Sequence, residues 1–573
     1  MKPFAVPVVA EDAARRLRRG HPRGRQVSEA ARAEVLDALE GRVPRRDELI
    51  EALHRLQDRF GQLGTPHLAA LAAWMKLSQA EVFEVASFYH HFDVVREDIQ
   101  GQLPHPPRLT VRVCDGLACM LAGAADLRER LSRSLPADVR VVAAPCVGRC
   151  ERAPVAVVQQ RTLAPADAAS VEEAVQAGAA SPEPTGHLSL EGSLAQGGYA
   201  MLRECLRGAR TPESVISALE EAGLRGLGGA GFPAGRKWQQ VRARPGPRLM
   251  AVNLDEGEPG TFKDRWILER DPHRFLEGMF IAAWAVGADR VYIYLRDEYH
   301  HCRVMLEHEL AQIRRTPPAP VLPEVELRRG AGAYICGEES AMLESIEGRR
   351  GWPRLRPPYV AERGLFGRPT LVHNFETLCW VRDILALGPA AFAGQGRRGR
   401  RGVRSFSVSG RVREPGVKLA PAGISLRELV DEHCGGMAAG HDLYAFLPGG
   451  ASGGILPARL ANEPLDFDTL APHGAFIGSA AVIVLSTQDR VAEVARQLMD
   501  FFVRESCGQC TPCRQGTVQA RRLMEAGRWD AGLLGELSQV MREASICGLG
   551  QAAPNVFDSV LRHFPHEVGE GPR

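Results

Sequence analysis

Residues 248–260 read Arg248-Leu249-Met250-Ala251-Val252-Asn253-Leu254-Asp255-Glu256-Gly257-Glu258-Pro259-Gly260. A short apolar run, with the length of a buried strand, ends abruptly in an asparagine, three carboxylates and a Pro-Gly turn. Loops at the carboxyl ends of strands are where α/β sheets bind nucleotides. Asp255, Glu256 and Glu258 lie within four residues and repel one another, so they need a partner. The hydroxyls of a ribityl or ribose chain would serve, and so would a metal ion.

The flanking sequence repeats the theme. Upstream, Gly226-Leu227-Gly228-Gly229-Ala230-Gly231 matches G-x-G-x-x-G and continues through Phe232 to Arg236 and Lys237. The dinucleotide fingerprint needs a strand before the glycines. Here the preceding TPESVISALEEAGL has helical periodicity, so that context fails. Backbone N–H groups followed by a cation still suit a phosphate, and a glycine-rich turn with solvated charges is the plain alternative. Downstream, Gly330-Ala331-Gly332-Ala333-Tyr334-Ile335-Cys336-Gly337-Glu338-Glu339 again joins small residues, one aromatic ring and paired acids. Helices alternate with β runs such as RVYIYL across 212–390, which predicts an α/β domain.

Eight of the 13 cysteines fall in two groups. Cys114 and Cys119 form C-x4-C, and Cys146 and Cys150 form C-x3-C. Each pair follows a predicted strand, Leu109–Val113 and Val141–Ala144, so two loops would present four thiolates to one point. That set suits a [2Fe–2S] cluster or a zinc ion; the wide C-x4-C spacing favours the cluster. Cys507, Cys510 and Cys513 form C-x2-C-x2-C, with Cys547 remote in SICGLGQ. Three close thiolates and a distant fourth favour one [4Fe–4S] cluster over zinc. Cys205, Cys302, Cys336, Cys379 and Cys434 read as ordinary buried thiols. Clusters carry single electrons and a hydride donor delivers two, so a chain joining them needs a converter, usually a flavin. Gly450-Ala451-Ser452-Gly453-Gly454 matches the hydrolase G-x-S-x-G, but LPGGASGGILP lacks the strand–elbow–helix setting.

The rest of the chain is consistent with a large multidomain protein. It has 573 residues, 45% hydrophobic and 24% charged, and a net charge of +2 that excludes a general polyanion binder. No run of apolar residues is long enough for a membrane span, and the N-terminus lacks a signal-peptide pattern. A cytoplasmic protein is expected, with no nucleic-acid partner. Residues 27–92 are helical in pattern, with Thr65-Pro66 at one helix start and Ser78 with Glu81 as a capping box. Residues 404–486 are β-rich around one helix, SLRELVDEH, and the pattern from 490 onward is helical. The arginine-rich GQGRRGRRG, 394–402, reads as a solvated break without the interleaved aromatics of an RNA binder.

With these residues in view, a resemblance is plain. Residues 25–175 resemble the thioredoxin-like [2Fe–2S] subunit of respiratory complex I, and residues 200–573 its flavin-bearing, NADH-oxidising subunit. The motifs that carry it are RGLGGAGFPAGRKW, NLDEGEPGTFKDR, GAGAYICGEESAMLESIEGRRGWPR, ESCGQCTPCRQGT and SICGLGQ. The fused layout with both cysteine sets intact, together with LRDEYHHCR, VSGRVREPGVKLAPAG and LPGGASGGILPA, is most similar to the β (diaphorase) subunit of NAD-dependent molybdenum- or tungsten-containing formate dehydrogenases. The similarly fused diaphorase of NAD-reducing hydrogenases is the nearest alternative, its first cysteine set being expected in degraded form; a complex I-type NADH dehydrogenase module follows. A zinc-binding scaffold is the alternative of a different class.

The resemblance implies a multidomain α/β and α+β fold. Its parts are a basic leader at 1–25, a helical plus thioredoxin-like ferredoxin domain at 26–175 and a linker at 176–199. An FMN/NADH-binding α/β domain follows at 200–393, then a β-grasp-like domain at 403–487 and a helical [4Fe–4S] domain at 488–573. It implies FMN against Gly226, Gly228, Lys237, Asn253, Asp255, Glu256, Tyr334, Gly337, Glu338, Asn374 and Thr377. It implies NAD against Phe232, Glu258 and Glu339. Cys114, Cys119, Cys146 and Cys150 would hold [2Fe–2S], and Cys507, Cys510, Cys513 and Cys547 would hold [4Fe–4S]. Hydride would pass between nicotinamide and flavin with no acid–base side chain. A partner α subunit, with a molybdenum- or tungsten-pterin and further clusters, would oxidise formate. Electrons would enter by the [4Fe–4S] cluster, with the [2Fe–2S] cluster as a side store. The chain departs from the family at His373, at Arg356 and Tyr359, and at Leu227, where the family has Asn, Lys, Phe and Arg.

Overall fold

The computed structural model describes residues 25–182 and 186–569. The basic leader lies outside the described residues apart from Arg25, as do residues 183–185 of the expected linker. The chain divides into two compact units, Met1–Pro106 and Pro107–Arg573.

Among its described residues, the first unit is helical: α1 (Glu29–Ala38), α2 (Leu49–Phe60), α3 (Thr65–Met75) and α4 (Gln79–Phe88). Pro66 stands in the first turn of α3, where its missing N–H costs nothing. Ser78 caps α4 by accepting from the Glu81 N–H. Two short parallel strands, β1 (Leu63–Gly64) and β2 (Val94–Val95), tie the ends together.

The second unit opens with a four-stranded sheet in the order β4-β3-β5-β6. Its strands are β3 (Leu109–Cys114), β4 (Val139–Ala144), β5 (Ala156–Val158) and β6 (Arg161–Leu163), flanked by α5 (Leu117–Leu121), α6 (Ala124–Ser134) and α7 (Ala168–Gln176). β3 and β4 pair in parallel, so their loops leave by one edge. The expected linker that follows includes a helix, Leu190–Ala195, capped by Ser189. It is held by the Leu190 N–H donating to Glu309 Oε2.

A wholly parallel sheet follows, ordered β10-β7-β8-β9. It is formed by β7 (Arg248–Leu254), β8 (Ala288–Leu295), β9 (Glu324–Arg329) and β10 (Thr370–Asn374). Helices α8 (Pro212–Ala222), α9 (Ala234–Arg242), α10 (Lys263–Leu268), α11 (Pro272–Val286), α12 (His300–Arg315), α13 (Glu339–Ile346) and α14 (Phe375–Leu387) accompany it. After β9 the chain crosses to the other side of β7. Open α/β sheets bind ligands in the crevice at such a switch point, here between the loops after β7 and β10. Asn253 and Asn374, paired in register, stand on its rim.

A five-stranded mixed sheet, β12-β11-β15-β13-β14, comes next. It comprises β11 (Val403–Gly410), β12 (Gly416–Pro421), β13 (Leu443–Leu447), β14 (Leu456–Pro457) and β15 (Ala481–Ser486). The break at 394–402 is not a freely solvated tether: Arg397 pairs with Glu432 and Arg398 with Glu428. SLRELVDEH forms a single α turn, Leu426–Glu428, that widens into a π turn, Leu429–His433. The chain ends in helices α15 (Val491–Glu505), α16 (Thr511–Leu523), α17 (Ala531–Ala544), α18 (Gly548–Ala552) and α19 (Asn555–His563). No helix among the described residues is long and apolar enough to cross a membrane.

Candidate functional site

The glycine loop is pinned at both ends. Gly226 N–H donates to Phe232 O at 2.8 Å and Gly231 N–H to Gly226 O at 3.2 Å. Leu227 N–H donates to Thr377 Oγ1 at 2.9 Å. A Cβ on Gly228 would stand 3.0 Å from the Asn374 side chain, so the loop lies directly over the end of β10. Asn374 in turn caps α14 through the Thr377 N–H. Helix α9 begins just after the loop and sends Lys237 Nζ to Glu339 Oε2, at 3.2 Å. Phe232 remains 41% exposed, open to whatever enters the crevice.

The acid loop behaves as three different groups. Asn253 Nδ2 donates to Gly337 O at 2.8 Å, and its Oδ1 accepts the Asp255 N–H at 3.0 Å. This locks the loop after β7 to the short helical turn Tyr334–Gly337. Asp255 Oδ2 is buried with no hydrogen-bond partner, and burial, opposed by Arg296, raises its carboxyl to about 8. Glu256 turns away. Its oxygens accept the Asp264 and Arg265 N–H groups at 2.8 and 3.1 Å and the Tyr299 hydroxyl at 2.8 Å. Glu258 accepts from the Tyr334 hydroxyl and from Ser452 N–H and Oγ, the latter two at 2.8 and 2.7 Å. Burial still raises its carboxyl above the usual range.

At the third loop, Glu338 caps α13 by accepting the Ser340 and Ala341 N–H groups at 2.9 Å. Arg356 reaches Glu338 and lies 3.1 Å from Glu339. A cation thus stands at the position where the family's lysine is replaced. Tyr359, beyond it, is exposed. His373 is buried and accepts from Trp238 Nε1 at 2.7 Å, so it supports the sheet and does not line the crevice.

The first cysteine set is fully buried. Cys114 ends β3, Cys119 lies in α5, and Cys146 and Cys150 follow β4. Cys146 and Cys150 sulfurs are 3.4 Å apart, and a Cβ on Gly116 would meet Cys146 Cβ at 3.2 Å. The hydrogen bonds from Cys114 and Cys150 hold the Cys146 thiol well below its ordinary value. The Arg296 charge and the Gly260 N–H add to this. The α/β domain supplies the wall: Phe262 packs on Ala118, Cys146 and Cys150. Arg296 donates to Cys146 O at 2.7 Å and to Glu256 O at 2.5 Å. Arg265 donates to Gly148 O at 2.7 Å and pairs with Glu151 and Glu269 at 2.5 and 2.6 Å.

The second set surrounds a cavity lined also by Ile335, Pro353, Ser506 and Leu549. Cys510 and Cys547 stand at the N-caps of α16 and α18. Burial pushes Cys513 to about 11 and Cys547 to about 12, the Leu549 and Gly550 N–H groups opposing it at Cys547. A Cβ on Gly550 would meet Cys513 Cβ at 2.8 Å.

Soft thiolate donors gathered at two points fit iron–sulfur clusters, because a bound metal offsets the cost of burying several negative sulfurs. The orphaned Asp255 oxygen, the glycine cradle and Lys237 fit a polyhydroxyl chain with a phosphate. Three contributors, Arg296, Arg265 and Ser452, lie within the quoted stretches LRDEYHHCR, NLDEGEPGTFKDR and LPGGASGGILPA, yet none was among the expected site residues.

The chain matches four described families. They are the thioredoxin-like [2Fe-2S] ferredoxin over 35–179, the Nuo51 FMN-binding domain over 219–383, the SLBB domain over 405–456 and the NADH-ubiquinone oxidoreductase-F iron-sulfur binding region over 493–571. It is 43% identical over 398 residues to the F 2 subunit of the NADH-quinone oxidoreductase of Rhizobium meliloti (strain 1021), across 67% of this chain and 94% of that one. It is 40% identical to the mitochondrial NADH dehydrogenase [ubiquinone] flavoprotein 1 of Dictyostelium discoideum, across 66% of this chain and 82% of that one. Among solved structures, a chain of an NAD+-reducing [NiFe]-hydrogenase in the H2-reduced state superposes with a TM-score of 0.78 at 33% identity, over 92% of this chain and 93% of that one.

Proposed function

We infer the function from one premise: this chain belongs to the family of NADH-quinone oxidoreductase F subunits, carrying in addition a thioredoxin-like [2Fe–2S] ferredoxin domain. It is an oxidoreductase subunit of the NADH dehydrogenase type, and its domains serve FMN, NAD(H), a [2Fe–2S] and a [4Fe–4S] cluster. Beyond that, we propose that it is the NAD-reducing subunit of a cytoplasmic formate dehydrogenase, taking electrons from a partner subunit with a molybdenum- or tungsten-pterin. When bound, FMN exchanges hydride with the dinucleotide and single electrons with the clusters.

This chain's residues hold those groups at fixed places. Gly226, Gly228 and Lys237 cradle the phosphate. Asn253, Asp255, Tyr334, Gly337 and Glu338 would form the floor of the flavin crevice, with Asn374 and Thr377 bracing the glycine loop; Glu256, expected among them, caps α10 instead. Phe232, Glu258 and Glu339 face the dinucleotide. Cys114, Cys119, Cys146 and Cys150 hold [2Fe–2S]; Cys507, Cys510, Cys513 and Cys547 hold [4Fe–4S]. One observation supports this reading above the others: both cysteine sets adjoin the same crevice. Arg296 bridges Cys146 O to Glu256 O, and Glu505, two residues before Cys507, accepts the Tyr334 N–H at 3.0 Å.

The intact first cysteine set favours the formate partner. The match to the hydrogenase chain, which spans both halves of the fusion, favours a second reading as a hydrogenase diaphorase. An anaerobic NADH titration of the chain, followed by absorbance and electron paramagnetic resonance, should bleach a flavin band and raise a reduced-cluster signal. Formate alone should do neither. Metal analysis of the co-purified native complex then decides: molybdenum or tungsten supports the formate reading, and nickel replaces it with the hydrogenase one. Failure of NADH to reduce flavin-loaded protein would remove the dinucleotide assignment at Glu258 and Glu339.

A further inference from the structure

The turn Gly450–Gly453, whose surroundings are not those of a hydrolase, makes the most specific contact to the acid loop from outside the α/β domain. Ser452 spends both donors on one atom: its N–H and its hydroxyl reach Glu258 Oε1 at 2.8 and 2.7 Å. The other carboxylate oxygen accepts from the Tyr334 hydroxyl. Gly450 has φ +73°, and a Cβ there would stand 2.5 Å from Glu258 Cγ. A side chain at 450 would therefore be strained and would push Glu258 out of place.

Both partners of Glu258 are anchored to the C-terminal helices. Asn555 Nδ2 on α19 donates to Ser452 O at 2.8 Å, and Arg542 Nη2 holds the Asn555 Oδ1 at 2.6 Å. Ser559 Oγ accepts the N–H of Ile455, just beyond the turn, at 3.0 Å. On the other side, Glu505 at the end of α15 accepts the Tyr334 N–H, and Phe501 packs edge-on against the Tyr334 ring.

We propose that Ser452 is a positioning residue for the dinucleotide site: it fixes the Glu258 carboxylate, and Asn555 makes that fixation depend on the C-terminal cluster domain being docked. The proposal rests on the reading of Glu258 as a dinucleotide-facing residue. A carboxylate accepting three donors has one orientation and keeps its charge at lower pH than burial alone would allow. The titratable group facing it is Tyr334, whose phenol burial and the Glu258 charge push well above its ordinary value, so it remains a donor at neutral pH.

The test uses the full chain, loaded with FMN and clusters, in four variants: Ser452→Ala, Ser452→Thr, Asn555→Ala and Glu258→Gln. NADH oxidation with an artificial acceptor is resolved into KM and kcat across pH, and NAD+ affinity is measured by calorimetry. Loss of one donor to a charged group is expected to raise KM for NADH and weaken NAD+ binding by roughly 5- to 30-fold. The acid limb of the profile should move to higher pH, because the carboxylate loses a donor that favours its charged form. Ser452→Thr, which keeps the hydroxyl, should restore both. Asn555→Ala should reproduce a smaller share of the same change with FMN content unaltered. If Glu258→Gln changes KM and pH profile while Ser452→Ala changes neither, the positioning role is wrong and the reading of Glu258 stands. If Glu258→Gln changes neither, the reading of Glu258 fails first. A Ser452→Ala defect that Ser452→Thr does not rescue overturns the role of the hydroxyl.

Discussion

The two cysteine sets solve one problem in opposite ways. The first sits on a small sheet of short strands that cannot enclose four thiolates alone, and the neighbouring α/β domain completes its wall. All four cysteines are buried, Phe262 closes the apolar side, and Arg296 and Arg265 supply donors to the carbonyls of the ligand loop. The second set is built within its own helices and two loops from the α/β domain, at Ile335 and at Trp352-Pro353, and Cys507, Cys510 and Cys547 stay half-exposed. The contrast means that the seam, more than the cysteine loops, determines the properties of the first site.

The comparison can be broken most directly at Arg296. It is buried, pairs with Glu298 at 3.1 Å and bridges two carbonyls. Arg296→Leu strands all three partners and should cost about 3 kcal/mol in chemical denaturation. It should also lower the midpoint potential of the [2Fe–2S] signal, since a positive charge leaves its surroundings, while the [4Fe–4S] potential holds. A redox titration followed by electron paramagnetic resonance checks this; equal shifts at both clusters would erase the contrast.

A second expectation concerns acid. Burial opposes the charge on Glu269, but the His301 hydrogen bond and the Arg265 and Arg149 guanidiniums win, and its carboxyl lies well below the usual range. A folded-state value below the unfolded one gives stability that is present above the unfolded value, about 4.3. That stability is lost as pH falls toward the folded value. Urea midpoints of the cluster-free chain should therefore decline below about pH 4.5, and Glu269→Gln should flatten the decline, on the order of 1–2 kcal/mol. An unchanged slope would show that the seam does not depend on this ion pair.

The smallest effect is expected at Arg504, whose side chain is half-exposed in its 3.0 Å pair with Asp115. Arg504→Ala should change stability by about 0–1 kcal/mol, and less in high salt. A larger loss would mean that the C-terminal helices brace the first cluster site as firmly as Arg296 does.

Much of the molecule was legible in the chain. The apolar run 248–254 is strand β7, the segment before Gly226 is helix α8, and the family matches cover both cluster domains and the flavin domain. The roles of the acids were less legible. Asp255, Glu256 and Glu258 read alike, yet one has a buried oxygen with no hydrogen-bond partner, one caps α10 and one is clamped from the next sheet. Likewise the arginines of 394–402 read as solvated, but their carboxylate partners lie some 30 residues on, at Glu428 and Glu432.

By itself the sequence determined the element types and the donor chemistry. Hydrophobic period, caps and cysteine spacing are local properties, fixed by backbone geometry and by what a thiolate binds. Only the tertiary structure decided which partner each charged group meets. Arg296 finds Cys146 O across 150 residues, and Ser452 finds Glu258 across 194. Such pairings are set by how finished sheets and helices pack, since a buried charge settles wherever a donor or acceptor can replace its lost water.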